Sequence, residues 1–264
     1  MNKGNLLDRL SRSSEERVFY ARLFDKYEQA HDRSQPTVTG FFSPQEQAMA
    51  EAALHSAGIH SGYCFDGGYR AAERRRLRFA PDWMEDEQLS DEQDIACLYC
   101  RFFEGDALSH RDFLGSLMAL GIIREKLGDI LVGMGEAQIL VDEAVLPFLL
   151  QEYQSAGRTK LHLSRRPLAE IVPPEIKVQL LHDTVMSLRL DSIVAVGFAM
   201  SRTKAAELIH AGKVELNHLP CDKSDKLLSE GDSVSARGFG KFVLAEIGKQ
   251  SRKGRTIITI KRFI

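Results

Sequence analysis

The chain has 264 residues and a net charge of −2, and it is long enough for two or three domains with hydrophobic cores of their own. Its 44% hydrophobic and 27% charged residues are ordinary for a soluble globular protein, and no apolar run approaches the roughly eighteen residues of a membrane span. The N-terminus has no apolar secretion signal and the four cysteines follow no disulfide pattern, which argues against secretion and favours the cytoplasm.

The N-terminal region is predicted to be mainly helical. Apolar residues recur at helical spacing among charges over residues 5–33, which indicates an amphipathic helix or a helix pair. Ser43 and Pro44 are typical of a cap and a first-turn proline, and they predict a helix that runs to about Ala57. We therefore expect a mainly helical domain over residues 1–90.

A short strand at residues 63–66 leads into a double glycine and then into five arginines within nine residues. Two interpretations stay open. In one, Gly67 and Gly68 let the backbone approach a phosphate, and the arginines form a second nucleic-acid contact. In the other, the segment is a tight turn whose arginines pair with the seven acidic residues at positions 82–94. The candidates for this second contact are Arg70, Arg74, Arg75 and Arg76.

From residue 94 onward, strands and helices alternate in the order βαββαβ. This is the ferredoxin-like arrangement, which RNA-recognition domains share, although topology alone does not confer their function. Their exposed aromatic pair is not clearly present, because Tyr99 and Phe103 fit core positions better. We expect this middle domain over residues 91–170, followed by a proline-marked linker. The strands are predicted at 95–103, 129–132, 138–141 and 160–163, and the helices at 109–120 and 142–153.

The C-terminal part is predicted to begin with a helix at residues 175–187, followed by two short helices. Apolar spacing over residues 190–198 indicates the first of these, with Gly197 near its end where a positive φ is useful. Ser201 is a suitable cap for the second, which presents Arg202 and Lys204 on its first turn. Two cations beside exposed N–H groups predict a phosphate-binding surface.

A short strand from Val214 and a basic antiparallel sheet at 232–237, 241–247 and 255–263 are predicted to complete the C-terminal part. Residues 201–264 hold thirteen Lys and Arg against seven Asp and Glu, a net charge of +6. Residues 1–200 hold twenty-two against thirty, a net charge of −8. A basic end on an acidic body indicates binding to a polyanion.

The stretch from Arg189 to Asn217, together with residues 231–234, resembles the small RNA-binding module named after ribosomal protein S-four. The match comprises the opening Arg-Leu-Asp, the Ser-Arg pair at 201–202 and the Gly-Asp-Ser-Val at 231–234. We expect this S-four module over residues 180–264. The resemblance makes a set of residues candidates for RNA binding: Arg189, Ser201, Arg202, Lys204, Lys213, Asn217, Arg237 and Lys241.

Further segments at 65–76, 110–117, 120–132 and 235–242 extend the resemblance to essentially the full length. Together with the S-four module they are similar to the YlmH family of Gram-positive and cyanobacterial proteins. The resemblance implies an α+β fold with a helical N-terminal region, a ferredoxin-like middle domain and the C-terminal module. It also implies a non-enzymatic cytoplasmic protein without cofactor. Its partners would be rRNA and tRNA on the large ribosomal subunit, in quality control that adds C-terminal tails to stalled chains.

Patterns that indicate catalysis are weak in this chain. Cys97 and Cys100 have zinc or redox spacing but no second pair, and His110-Arg111-Asp112 lacks every other kinase motif. Arg189-Leu190-Asp191 resembles the catalytic segment of pseudouridine synthases, but Ser-Ile-Val follows it. We expect no metal and no membrane contact, and we favour a monomer. Two alternatives stay open: an RNA-modifying enzyme that uses Asp191, and a cell-division accessory protein that acts through protein contacts.

Overall fold

The computed structural model describes residues 3–84, 89, 94–175, 177–251 and 254–264. The chain forms two compact units, Met1–Pro174 and Glu175–Ile264. The division between them falls in the predicted linker. The first unit contains both the predicted N-terminal and the predicted middle domain, and the boundary expected between residues 90 and 91 lies outside the described residues. The α+β fold class is confirmed.

The N-terminal part of the first unit packs helices against a small antiparallel sheet with strand order β1-β3-β2. The predicted helix pair and the helix after Ser43 are present, and Ser43 and Glu46 form a reciprocal capping box. Strands β1 and β3 were not predicted. The sequence of β3 is rich in arginine, which is typical of an exposed segment. The elements are α1 (Lys3–Leu10), α2 (Ser14–Asp32), β1 (Thr37–Phe42), α3 (Pro44–Ser56), β2 (Tyr63–Asp66) and β3 (Arg75–Phe79).

The middle part confirms the ferredoxin-like arrangement. Its antiparallel sheet has the order β5-β6-β4-β9, in which the first and third strands of the βαββαβ unit are central. A short hairpin, β7 (Ser155–Ala156) and β8 (Thr159–Lys160), precedes the last strand. The main elements are β4 (Ile95–Arg101), α4 (His110–Ala119), β5 (Leu127–Val132), β6 (Glu136–Asp142), α5 (Leu146–Glu152) and β9 (His162–Arg166).

The two faces of this sheet are both covered. One face packs against α4 and α5 in a large apolar core that includes Leu98 and Cys100. The opposite face, which carries Cys97, packs against Phe41 of β1. This second face is the one that RNA-recognition domains leave open for aromatic stacking, so the chain does not offer it in that form. The expectation that Phe103 lies in the core was wrong, since it lies beyond the end of β4 with 75% of its surface exposed.

The second unit is a six-stranded antiparallel sheet with two helices against it, in the strand order β10-β15-β14-β13-β11-β12. Its apolar core joins both helices to the central strands. The elements are β10 (Val178–Val185), α6 (Leu190–Gly197), α7 (Arg202–His210), β11 (Val214–Leu216), β12 (Leu219–Pro220), β13 (Ser233–Ala236), β14 (Gly240–Gln250) and β15 (Thr256–Phe263).

Two local predictions in this unit were wrong. The helix expected at 175–187 is the edge strand β10, because it pairs along its whole length with β15, about eighty residues away in sequence. Gly197 does not take a positive φ; Ala199 does, with φ 52°. The reason for a glycine at 197 is space, because a Cβ there would overlap the Phe242 ring.

Candidate nucleic-acid interface

Helix α7 begins with the predicted cap. The hydroxyl of Ser201 accepts a hydrogen bond from the Lys204 backbone N–H at 3.2 Å. This leaves the N–H groups of Arg202 and Thr203 at the exposed first turn, where intrahelical acceptors are missing. The side chains of Arg202 and Lys204 are both exposed at this turn. The start of α7 therefore combines backbone donors with two cations, which suits an anionic ligand.

A buried carboxylate holds two of the candidate cations. Asp191 is 5% exposed and accepts hydrogen bonds from Arg202 Nη2 at 3.0 Å and from Arg189 Nη2 at 3.1 Å and Nε at 3.3 Å. Burial alone would raise the pKa of Asp191, but the two guanidinium groups outweigh it and lower the pKa below its ordinary value. Asp191 is therefore ionised at neutral pH, and it fixes both arginines at the start of their helices.

Lys204 is linked to the turn between β13 and β14. Its ammonium lies 5.7 Å from the ring centroid of Phe239, which in turn packs against Phe198 at 5.9 Å. Lys241, the second residue of β14, lies over the Phe263 ring at 5.6 Å. The rings attract the two ammonium groups and restrict the motion of otherwise flexible lysine side chains.

Lys213 and Arg237 lie side by side, because the backbone N–H of Arg237 donates to the Lys213 carbonyl at 3.2 Å. Both side chains are exposed. Arg237 belongs to the same turn as Phe239, whose ring faces the Lys204 ammonium, so this turn links both cations to the start of α7. These contacts link Arg189, Ser201, Arg202, Lys204, Lys213 and Arg237, six of the eight predicted residues. Lys241 lies on the other face of the sheet, because it alternates along β14 with Phe242, which packs against Phe198 in the core below the helices.

Asn217 is the exception. It lies at the opposite end of β11 from Lys213 and adopts φ 51°, with His218 at φ 66°, in the two-residue turn to β12. Its side chain donates to the Asp232 carboxylate at 2.8 Å and accepts from the Ser233 N–H at 2.9 Å. The structure uses Asn217 to form a turn. Asn217 therefore lies outside the candidate interface.

Arg262 belongs to this surface but was not predicted. Its guanidinium lies 5.9 Å from the Phe198 ring, between β15 and α6. The only sequence signal was a Lys-Arg pair in a strand near the C-terminus, and nothing local relates that pair to a helix more than sixty residues earlier. Tertiary packing brings the two together.

The structure contradicts most of the second nucleic-acid contact predicted for Arg70, Arg74, Arg75 and Arg76. Arg76 is 5% exposed and donates to the carbonyls of Thr39 and Asp94 at 2.8 Å and to the Asp142 carboxylate at 3.0 Å. A phosphate cannot reach a side chain buried in this way. Of the acidic segment invoked as a partner, Asp82 and Asp94 are described, and residues 85–88 and 90–93 lie outside the described residues.

Arg74 also forms its hydrogen bonds within the protein. Its guanidinium donates to the carbonyls of Leu127, Phe41 and Arg124 at 2.9, 2.7 and 3.2 Å, and burial lowers its pKa to about 10. Only Arg70 and Arg75 of the four candidates keep guanidinium groups that can meet a ligand.

The double glycine has a packing role. Gly67 is buried, and a Cβ there would lie 2.6 Å from the Arg74 carbonyl oxygen. Gly68 has φ 85° and its N–H donates to the Asp66 carboxylate at 2.8 Å. The backbone donor expected for a phosphate is therefore taken by a side chain of the same loop.

Metal and redox chemistry find little support in the described part of the chain. No group of three His, Cys, Asp or Glu residues there could hold a metal ion. Cys97 and Cys100 are buried on opposite faces of the middle sheet. Burial raises the pKa of Cys97 to about 11 and that of Cys100 still further, which suits inert thiols. None of the described helices is long and apolar enough to span a membrane.

Comparison with known proteins agrees with this architecture. Three family models match in succession: "YlmH, N-terminal" at residues 15–84, "Putative RNA-binding domain in YlmH" at 98–170 and "S4 domain" at 188–234. A solved structure titled "Cell division protein ylmH from Streptococcus pneumoniae" covers 61% of this chain and 96% of its own, with a TM-score of 0.51 and 23% identity. That likeness shows a shared fold.

A second relative is similar over nearly the whole length. The "Ribosome-associated protein quality control protein P2" of Bacillus subtilis (strain 168) is 30% identical over 249 residues, which is 94% of this chain and 95% of the relative. The first two family models match the first unit and the third matches the second unit. The residues of the third match include helix α7. With an N-terminal match, a match to the putative RNA-binding middle domain and an S4 match in this order, the chain belongs to the YlmH family.

Proposed function

We propose that the protein binds structured RNA, without catalysis, through the surface around the start of α7 that carries Arg189, Arg202, Lys204, Lys213 and Arg237. The observation that carries this proposal is the pair of arginines that the buried Asp191 fixes, Arg189 at the start of α6 and Arg202 at the start of α7. A preorganised guanidinium loses little conformational entropy on binding and offers a phosphate two parallel donors. Rigid cations beside exposed helix N–H groups are the chemistry that a folded phosphate backbone requires.

The target we propose is rRNA and tRNA on the large ribosomal subunit, during quality control that adds C-terminal tails to stalled chains. The name of the Bacillus subtilis relative, which matches 94% of this chain, supports a role in ribosome-associated quality control. The net charge of +6 over residues 201–264 supports an RNA partner. On this proposal the protein works in the cytoplasm as a monomer.

The environment of Asp191 supports a role without catalysis. A nucleophilic carboxylate must present an oxygen to the reacting base. Asp191 is nearly buried, and its two oxygens accept bonds from Arg189, Arg202 and the Ser192 hydroxyl. Mass spectrometry of RNA from a deletion strain tests this directly. Loss of one specific modified base would favour the enzyme alternative.

Binding to purified large subunits over a salt series tests the proposed interface. Arg202→Ala with Lys204→Ala removes two cations, so we expect weaker binding and a salt slope smaller by about one unit per lost phosphate contact. Lys249→Ala is the matched control, because Lys249 is exposed at the opposite end of β14 from the candidate surface. Equal losses in the double variant and the control would contradict a defined interface.

A further inference from the structure

The first unit contains a cleft of about 570 Å³ between the loop after β2 and the strands β4 and β9. Guanidinium groups form much of its wall, and Phe65, Pro167 and Leu168 are among its apolar residues. The arginines come from three places in the sequence that only the fold brings together. They are Arg70, Arg75, Arg78, Arg165 and Arg166.

These arginines differ in what neutralises them. Arg78 contacts the Asp66 carboxylate at 3.0 Å, and Arg165 forms a two-pronged pair with Glu143. Arg70, Arg75 and Arg166, by contrast, have no carboxylate within ion-pair distance among the residues at 3–84, 89, 94–175, 177–251 and 254–264. Three positive charges in one concave site concentrate an electric field that attracts anions.

The cleft is held in shape by neighbouring polar contacts. Asp129 accepts hydrogen bonds from the Tyr69 hydroxyl at 2.7 Å and from the N–H groups of Glu73 and Arg74 at 2.7 and 2.9 Å. These three bonds fix the loop that carries Arg70 and leads to Arg75 onto strand β5. The anionic ligand would therefore meet a site that needs little reorganisation.

Arg166 is positioned from the other wall. Its guanidinium stacks on the Tyr99 ring at 3.6 Å, and Cys97 is its partner across the two strands. Stacking fixes the plane of the guanidinium while leaving its N–H edge available for hydrogen bonds. The thiol of Cys97 adjoins the cleft but is buried and has a raised pKa, so the site suits binding and lacks a nucleophile.

We propose that this cleft, which we call the arginine cleft, binds the phosphodiester backbone of a single-stranded RNA segment through Arg70, Arg75 and Arg166. It is a second RNA site, separate in sequence from the surface around α7, and it rests on the proposed function only in taking RNA as the partner. Guanidinium forks match phosphate oxygens, and the concave shape admits a flexible strand better than a rigid duplex.

The test measures binding of a short fluorescein-labelled single-stranded RNA to the full-length protein by anisotropy. The background carries Arg202→Ala and Lys204→Ala, which removes the main surface and isolates the cleft. Adding Arg70→Ala, Arg75→Ala and Arg166→Ala should lower the slope of log affinity against log salt by about 0.7 for each of three contacts. A slope lower by about two units means that the triple variant loses about a hundredfold more affinity at 0.1 M salt than at 1 M salt.

Two controls keep the result interpretable. Arg158→Ala removes an exposed arginine of the same unit from the β7–β8 hairpin, outside the cleft, and should leave the affinity unchanged. Arg70→Glu alone changes an exposed side chain, so it tests the cleft without threatening the fold and should weaken binding more than tenfold. Unchanged binding in both Arg70→Glu and the triple variant would overturn the arginine cleft.

The outcomes separate the two proposals. The cleft variants are therefore also made in the protein that keeps Arg202 and Lys204. Loss of binding with these variants, and none with Arg202→Ala and Lys204→Ala alone, would support the cleft and count against the main interface. Loss only with Arg202→Ala and Lys204→Ala would support the main interface and overturn the cleft. Competition by poly-glutamate as strong as by RNA of equal charge would mean that the cleft binds acidic peptides, which would overturn its assignment to RNA.

Discussion

Substitution of Asp191 by asparagine is the most informative single change in the C-terminal unit. It keeps the size of the side chain but removes the charge that fixes Arg189 and Arg202 at 3.0–3.3 Å. Hydrogen bonds to a charged group contribute about 1.5–3 kcal/mol each when buried. The side chains of Arg189 and Arg202 are 35% and 56% exposed, so water can replace much of what they lose.

We therefore expect Asp191→Asn to lower the free energy of unfolding of this unit by about 2 kcal/mol, at the lower end of the range for a charged network. For a domain of this size the melting temperature should fall by about 8–16 °C, at 4–8 °C per kcal/mol. Thermal unfolding followed by circular dichroism measures the change, and hydrogen exchange over residues 175–264 assigns it to the correct unit.

The difference between wild type and variant should depend on pH in a defined direction. The pKa of Asp191 is lowered in the folded protein, so its stabilising effect is present above the unfolded pKa of about 3.9. It is lost as the pH falls through the folded value, where the carboxylate takes up a proton. The gap in stability should be complete at pH 7 and should narrow below about pH 4.

Binding distinguishes a positioning role for Asp191 from a purely structural one. The variant keeps both arginines, so its affinity for random RNA should hold, while its preference for large-subunit RNA should fall by about tenfold, which corresponds to about 1.4 kcal/mol. Glu207→Gln is the matched control, because it removes the same charge from an exposed position of α7. A destabilised variant with unchanged preference would refute the positioning role.

Three further predictions concern packing and chemistry. Gly197→Ala should cost about 1–2 kcal/mol despite better helix propensity, because the added methyl group overlaps the buried Phe242 ring; urea unfolding measures it. Asp142→Ala should destabilise the first unit by about 1–3 kcal/mol, since it removes the acceptor of Arg76 Nη2 and leaves the buried guanidinium with only the Asp94 carboxylate at 3.4 Å; an equal loss of stability with an exposed aspartate would contradict this. Iodoacetamide at pH 8 should label the half-exposed Cys221 in the native protein and reach the buried Cys100 only after unfolding.

Local sequence signals determined much of this protein. The cap at Ser201, the helix from Pro44 and the βαββαβ order all follow from short-range patterns, because capping and amphipathic spacing act within a few residues. The S-four module was also predictable, since its residues follow one another closely along the chain. For the same reason six of the eight candidates lie close together around the start of α7, and their part in RNA binding stays a prediction.

Tertiary structure alone decided which of the arginines after Gly67 can meet a ligand. Arg76 and Arg70 are the same residue type in one short segment. Arg76 is nevertheless buried against Asp142 of a distant strand, whereas Arg70 is exposed in a cleft. Similarly, the sequence at 178–185 becomes a strand only because β15 provides a partner for it. Burial and pairing between distant segments depend on contacts that no local pattern encodes, and here they separate the arginines that hold the fold from those that stay accessible to a ligand.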